Sequence, residues 1–337
     1  MANSIEYAKR FVPIIDRLYK NGSYTSGLDS KTDIDFTGVN EVKILKISTT
    51  GLGDYSRTNG YPKGDITVAW ETITLEEERG KELSIDRMDN EETLGTAFGE
   101  VTSVFMTQFV NPEWDAYRFS KYASTSGIFS KIGELTKDNI LAEFDNAILA
   151  MDNAEVPQDN RVFYVSTNLR PIVSEAISRQ WASDKAINTV LDNYNGIPIV
   201  YVVPTRFYDK ITLNSGATEF GYKKTAHTYK KTTDGTPVAG KTYFTQESDG
   251  SYKKVDNPTT PATNNYYEID TLGGVDINFM LIHTPDVMQA VKFAMPKVFT
   301  PDENQDKDMW KFQIRIYHDA YIYDNKKVGV YCHKKAE

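Results

Sequence analysis

"FTPDENQDKDMWKFQIRIYHDAYIYDNKKVGVYCHKK", residues 299–335, decides how the rest of the chain is read. Phe312, Ile314 and Ile316 alternate with Gln313, Arg315 and Tyr317, the two-residue period of a strand with one face on a core. The run outlasts a strand of ordinary length, so it belongs to an elongated sheet. A turn is expected at "DNKK" (324–327), after which "VGVYCHKK" (328–335) returns as a second strand. Just before the run, Asp302, Asn304, Asp306 and Asp308 imitate the opening of a calcium loop. The turn glycine of such a loop is Lys307 here and its closing carboxylate is Gln313, so the spacing is rejected as a metal site.

Upstream, "GIPIVYVVP" (196–204) and "VDINFMLIH" (275–283) are dense in branched apolar residues, as is the strand Val162 to Val165. Helices are expected from Thr136 or Asp138 through "TKDNILAEFDNAILAMDNAEVP" (136–157) and from near Thr167. A Thr-capped helix is also expected over "TPDVMQAVKF" (284–293), with Pro285 at its first position. Strands and helices in this order indicate an α/β or α+β domain. Between its second and third strands lies a segment of different composition, "DGTPVAGKTYFTQESDGSYKKVDNPTTPATNNYYEID" (234–270). It reads as short strands with Asp-Gly turns at 234–235 and 249–250. Such a small β module is either a contact patch or a tolerated surface ornament. Tyr243, Tyr252, Tyr266 and Tyr267 are its candidate surface residues.

Toward the N-terminus, Ile5, Ala8, Val12, Ile15 and Tyr19 recur at helical spacing, and a polar Gly/Ser-rich stretch (21–38) reads as an extended arm. "EVKILKIST" (41–49) is a strand. The "GLG" (51–53) after it is no dinucleotide site, because the third glycine position is Ser56 and no helix pattern follows. "DITVAWETITLEEERGKELSIDRMDNEET" (65–93) reads as a long hairpin turning at 79–81. Its tip is charged: Glu76, Glu77, Glu78, Arg79, Lys81 and Glu82. A two-stranded ribbon is marginal in water, so it lies on a partner surface or serves as a solvated edge. From Glu91 a helix follows whose stripe includes Phe98, Phe105 and Phe109. Asn111 as cap and Pro112 at the first position mark a kink or restart, with Trp114 and Tyr117 continuing the apolar face. Arg118 and Lys121 interleave with these aromatics, a pattern that serves nucleic acid or, more commonly, a core stripe with a solvated flank.

The 337 residues allow one large or two ordinary domains, with 40% hydrophobic and 25% charged residues. A net charge of −9 argues against a protein built to grip phosphate backbones. A single cysteine, Cys332, agrees with a reducing compartment. No apolar run approaches the ~20 residues of a membrane span, and the first residues lack the pattern of a signal peptide. A cytoplasmic protein without membrane contact is therefore expected. None of the four histidines shows metal-ligand spacing, and a nucleophile elbow, a P-loop and a C-x-x-C pair are all missing. The expectation is a chain with no enzyme activity and no cofactor.

"PEWDAYRFSKYA" (112–123), "IPIVYVVPTRFY" (197–208) and the terminal segment quoted first are similar to segments of major capsid proteins of tailed bacteriophages, in particular those of Gram-positive hosts. The order of parts resembles their shell fold, named after phage Hong Kong 97, across the whole chain except 222–270. The resemblance implies an α+β fold with an N-terminal arm (1–53), an extended β-hairpin loop (54–90) and a spine helix of the peripheral domain (91–136). It further implies an axial domain (137–221 and 271–290) carrying the β insertion (222–270), and a peripheral β-sheet (291–337). Pentamers and hexamers of the chain would form an icosahedral virion shell in the host cytoplasm, enclosing double-stranded DNA non-specifically. The charged hairpin tip would contact neighbouring subunits, and Asn111–Pro112 would be a flex point of the spine helix.

A portal is implied, with a decoration protein as a further partner. A separate scaffolding protein is implied as well, because no long N-terminal helical extension is present. Lys81 stands near the hairpin tip, but nothing marks a partner Asn or a catalytic Glu for the cross-link that some members make. The competing classes are a subunit of a host-encoded protein nanocompartment, which shares this type of shell, and a β-rich surface or adhesion module.

Overall fold

The computed structural model describes residues 22–28, 36–37, 41–58, 60–61, 63–92, 103–178, 192–232, 238, 241–255 and 266–336. The helix expected over 1–20, Phe98 and the 234–235 turn lie outside these residues. The described chain begins with β1 (Phe36–Thr37), β2 (Glu41–Thr49), β3 (Ile66–Thr74), β4 (Glu77–Asp86) and the short helix α1 (Arg87–Glu92). Next come α2 (Asn111–Ser124), β5 (Phe129–Gly133), α3 (Ile140–Asn153), β6 (Arg161–Ser166) and α4 (Arg170–Ser178). Then follow β7 (Asn193–Tyr194), β8 (Ile197–Val202), β9 (Ile211–Leu213), β10 (Tyr222–Lys224), β11 (Thr228–Lys231), β12 (Tyr243–Gln246), β13 (Tyr252–Val255) and β14 (Tyr266–Thr271). The last strands are β15 (Ile277–His283), β16 (Val287–Phe299), β17 (Met309–Ile322) and β18 (Val330–Lys335). The fold is α+β, and the chain divides into two compact units.

The first unit takes in the chain up to Asn111 together with Val287–Tyr323. Its long sheet has the order β16-β17-β4, and a second sheet has the order β1-β2-β3. Phe312, Ile314 and Ile316 of β17 are buried, so the alternation read in the sequence does mark a core face. The segment 284–293 is not the expected helix. After a single 3₁₀ turn at Thr284–Asp286, β16 pairs with β17 from Val287 opposite Ile322 to Phe299 opposite Lys311. A ladder of that length, fed by β-branched Val287, Val291 and Val298, outweighs the capping signals of Thr284 and Pro285.

The hairpin expected over 65–93 is also replaced. β3 pairs with β2, and β4 pairs with β17 from Met309 opposite Asp86 to His318 opposite Glu77. Only Leu75 and Glu76 separate the two strands, and Leu75 is buried beside Val42, Met288 and Tyr321. Gly80 is therefore not a turn residue. A Cβ there would stand 3.0 Å from the carbonyl oxygen of Ile314, so glycine lets β4 approach β17 closely.

The second unit comprises Pro112–Asp286 and Asp324–Glu337. Its six-stranded sheet runs β5-β18-β15-β6-β8-β7. On one face α3 and α4 bury Phe144, Met151 and Val173 against Phe163, Phe279 and Leu281. The rings of Phe144 and Phe279 meet edge to face at 4.9 Å. Tyr164, which points to the opposite face from Phe163, packs on Phe119 of α2 at 5.2 Å. Covered on both sides, β15 is buried at every residue, which explains why apolar residues dominate both of its faces.

β18 belongs to this sheet, not to the long sheet where the expected turn would have returned it. Val330, Tyr331, Cys332 and His333 are all buried between β15, antiparallel, and β5, parallel. A run buried on both faces suits a central position rather than a return onto β17, which alternates.

The insertion forms a four-stranded sheet of order β11-β14-β12-β13, next to the β9–β10 pair. Asp249-Gly250 does form a turn, with Gly250 at φ 86° and Asp249 Oδ1 accepting the Ser251 amide at 2.9 Å. Where the chain rejoins the main sheet, a Cβ on Gly274 would lie 2.2 Å from the Lys210 carbonyl oxygen. Gly274→Ala is expected to destabilise the chain by about 1–3 kcal/mol in denaturant titration. Gly51→Ala, with open space around it, should stay within about 0.5 kcal/mol of the parent. Equal midpoints for the two variants would contradict this close approach.

Candidate assembly surfaces

The β2–β3 ribbon runs in register from Glu41 opposite Thr74 to Thr49 opposite Ile66. Because paired residues share a face, Val42, Ile44 and Ile73 point together into the cluster around Leu75 and Met288. The opposite face carries Ile47 opposite Val68, with Trp70 and Ile66 in the same row. Trp70 is 63% exposed and Ile66 is 73% exposed. The loop beyond, 50–65, adds Leu52, Tyr55 and Tyr61, all exposed, with the two tyrosine rings 5.0 Å apart. Ser56 and Gly60 close it with two backbone hydrogen bonds of 3.1 and 2.7 Å. A contiguous apolar row on a narrow ribbon is what water disfavours and a second surface covers.

The charged residues expected at a hairpin tip stand instead along β4, with Glu76 just before it. Glu78 forms an ion pair with Arg315, and Glu82 accepts a 2.6 Å hydrogen bond from Gln313. With Arg79, Lys81 and Lys297 they line an open cavity of about 690 Å³ over Gly80. Glu76, Glu78 and Glu82 are exposed, while Glu77, Arg79 and Lys81 are half-buried. Exposed pairs of this kind each contribute at most about 1 kcal/mol.

Ahead of α2 the helix has a π turn at Met106–Val110, closed by the Asn111 amide donating to the Met106 carbonyl. Asn111 has helical dihedrals (φ −59°, ψ −44°), so it is not the cap of a restarted helix. The wider π turn accommodates Pro112, whose ring would otherwise crowd the preceding turn. The boundary between the two units falls at these two residues. Phe105 stacks on Phe109 at 5.9 Å and meets Phe312 at 6.3 Å. Phe109 itself is 59% exposed, so it is not the core residue its spacing implied. Trp114 is half-buried with the Arg118 guanidinium 5.3 Å above its ring, and Tyr117 is buried.

Of the insertion tyrosines, Tyr243 and Tyr266 are not surface residues. They are buried with ring centroids 5.9 Å apart, and the Tyr243 hydroxyl accepts the Val238 amide at 3.0 Å. Tyr252 and Tyr267 are half-buried on the other face.

Polar side chains inside the second unit are committed to structure. The Asp115 carboxylate and Arg206 guanidinium, both buried, pair at 3.0 Å, and Asp209 pairs with Lys334 at 3.0 Å. Buried His333 accepts a 3.1 Å hydrogen bond from Asn278 at Nδ1 and stacks on Phe279. Burial lowers its pKa, which keeps the ring neutral and able to accept that bond. His283 bonds to Asp286 at 2.7 Å, and His227 Nδ1 accepts the Gly273 amide at 3.0 Å. Burial pushes the Cys332 thiol up to about 12, far from a nucleophilic thiolate at neutral pH. Among the described residues no group of three or more His, Cys, Asp or Glu is arranged to hold a metal ion. No described helix is long and apolar enough to cross a membrane. The apparent calcium-loop residues serve ion pairs, Asp302 with Arg87 at 3.4 Å and Asp306 with Lys311 at 2.8 Å.

A two-unit α+β chain with a long-stranded sheet, a six-stranded sheet and an apolar ribbon has the fold of phage capsid subunits. The capsid structure of cyanophage P-SCSP1u matches it at TM-score 0.60 and 12% identity, over 98% of this chain and 93% of that one. The asymmetric unit of the bacteriophage PhiM1 mature capsid matches at TM-score 0.57 and 10% identity, over 98% and 93%. A structure of Gordonia phage Cozz matches at TM-score 0.58 and 9% identity, over 98% and 91%. At these identities the likeness is one of fold. No protein-family model matches the sequence, and no curated protein does.

Proposed function

We propose that this chain is the major capsid protein of a tailed phage, a non-enzymatic subunit that assembles with copies of itself into an icosahedral shell around double-stranded DNA. The observation that carries the reading is the likeness to phage capsid structures over nearly the whole chain, both units included. The ribbon supplies the physical motive. Its apolar row, exposed in the single chain, is covered when it lies on a neighbouring copy. The inter-subunit loop is thus the β2–β3 ribbon with residues 50–65. Glu76 and the charged residues 77–82 of β4 form a polar flank to it.

Each contact is modest, and repetition around a closed shell supplies the stability. The π turn and Asn111–Pro112 form the flex point of the spine helix during shell maturation. A scaffolding protein, a portal and a decoration protein are further proposed partners, and the virion capsid is the proposed location.

The test is electron microscopy of the expressed chain, alone and with its genomic neighbours. Closed icosahedral particles are the expected result. A protein that stays monomeric at high concentration, with and without those neighbours, would overturn the reading.

A further inference from the structure

The insertion sheet has two unlike faces. Cross-strand pairs set Phe244 opposite both Lys254 and Tyr267, Tyr267 opposite Lys231, and Gln246 opposite Tyr252. These residues therefore share one face with Tyr229. The aromatic rings, drawn from four strands, form a connected platform. Tyr229 stacks face to face on Tyr252 at 4.0 Å and 16°, with Phe244 at 5.0 Å from Tyr229 and Tyr267 at 5.1 Å from Tyr252. All four are half-exposed, whereas Tyr243 and Tyr266 on the other face are buried. The module thus has its core on one side and presents rings on the other.

Charge is sorted in the same way. Glu268 and Asp270, the acids of β14, stand on the core side, where Lys241 and Lys230 meet them at 3.4 and 3.5 Å. The ring-bearing face carries no carboxylate on any of its strands. At its rim stand Lys231, Lys254 and Gln246, all exposed.

We infer that this face is a binding site for an acidic polysaccharide. The flat C–H face of a pyranose carries slight positive charge and stacks on the negative face of an aromatic ring. Gln246 and the phenol hydroxyls take sugar hydroxyls, and Lys231 and Lys254 take carboxylates. Single-stranded nucleic acid also stacks on aromatic rings, but it carries a charge at every residue and calls for a cationic groove. Residues 222–271 hold seven lysines against six carboxylates, in a chain of net charge −9, so such a groove is missing. This inference does not rest on the shell reading, since the module would bind from a monomer as well.

The test is affinity electrophoresis of the full chain through gels containing polygalacturonate, alginate or hyaluronate. Pullulan serves as the neutral control and oligo(dT) in solution as the nucleic-acid competitor. Retardation by at least one acidic polymer is expected, with apparent affinity at least tenfold weaker in Tyr252→Leu. The Lys231→Glu/Lys254→Glu variant changes only exposed side chains, and near-ultraviolet circular dichroism checks that its tyrosine packing is kept. It should lose at least tenfold toward acidic polymers with its pullulan mobility unchanged. Three results would each overturn the inference: no retardation by any of the three polymers, undiminished retardation of the folded lysine variant, or tighter binding of oligo(dT).

Discussion

Val68→Lys/Trp70→Lys is expected to leave a folded chain that builds no shells. Both side chains are exposed in the single chain, so their replacement removes nothing from the core. On the proposed contact with a neighbouring copy, each would bury an apolar side chain worth about 1.5–3 kcal/mol. The variant loses both at every copy and adds two charges to be desolvated. Circular dichroism and the denaturation midpoint should match the parent, while electron microscopy shows no closed particles. Normal particles from this variant would mean that the ribbon's apolar row is not an assembly surface, whatever else the fold does.

The second large effect is internal. Asp115→Ala strips the counter-charge from Arg206, whose side chain is only 4% exposed, and is expected to cost about 3–5 kcal/mol. Asp115→Leu combined with Arg206→Met should recover most of that loss, because an apolar pair of similar volume avoids desolvation altogether. Chemical denaturation of the parent and both variants decides the matter. A single-variant loss below about 1 kcal/mol would mean that this pair is well solvated in the folded chain.

Residues with local meaning could be read directly. The alternation of Phe312, Ile314 and Ile316 identified β17 and its core face, and the apolar density of 275–283 identified a strand, which the structure covers on both sides. The amphipathic pattern over 136–157 is helix α3, and Asp249-Gly250 is a turn. Side-chain chemistry misled where one residue type serves two purposes. Gly80 looked like a turn and is a point of close strand approach. Thr284 and Pro285 looked like a helix cap and precede a long strand. Tyr243 and Tyr266 resembled their half-exposed neighbours Tyr252 and Tyr267. Only their place in the register separates core from surface. The apolar row of the ribbon could be read as a strand face, but its exposure could not, because an apolar face is covered only where another part of the chain packs on it.

The sequence by itself determined most of the extended and helical stretches, 284–293 excepted, and which residues of a strand point the same way. These follow from side-chain periodicity and local sterics. The tertiary structure decided the pairing: β3 with β2 and β4 with β17, although two residues separate them, and β18 with β15 and β5 rather than with the strand before it. The physical reason is that strand pairing is made by backbone N–H and C=O groups, which are the same in nearly every residue. Which strands exchange them is settled by how much apolar surface each arrangement buries across the whole chain.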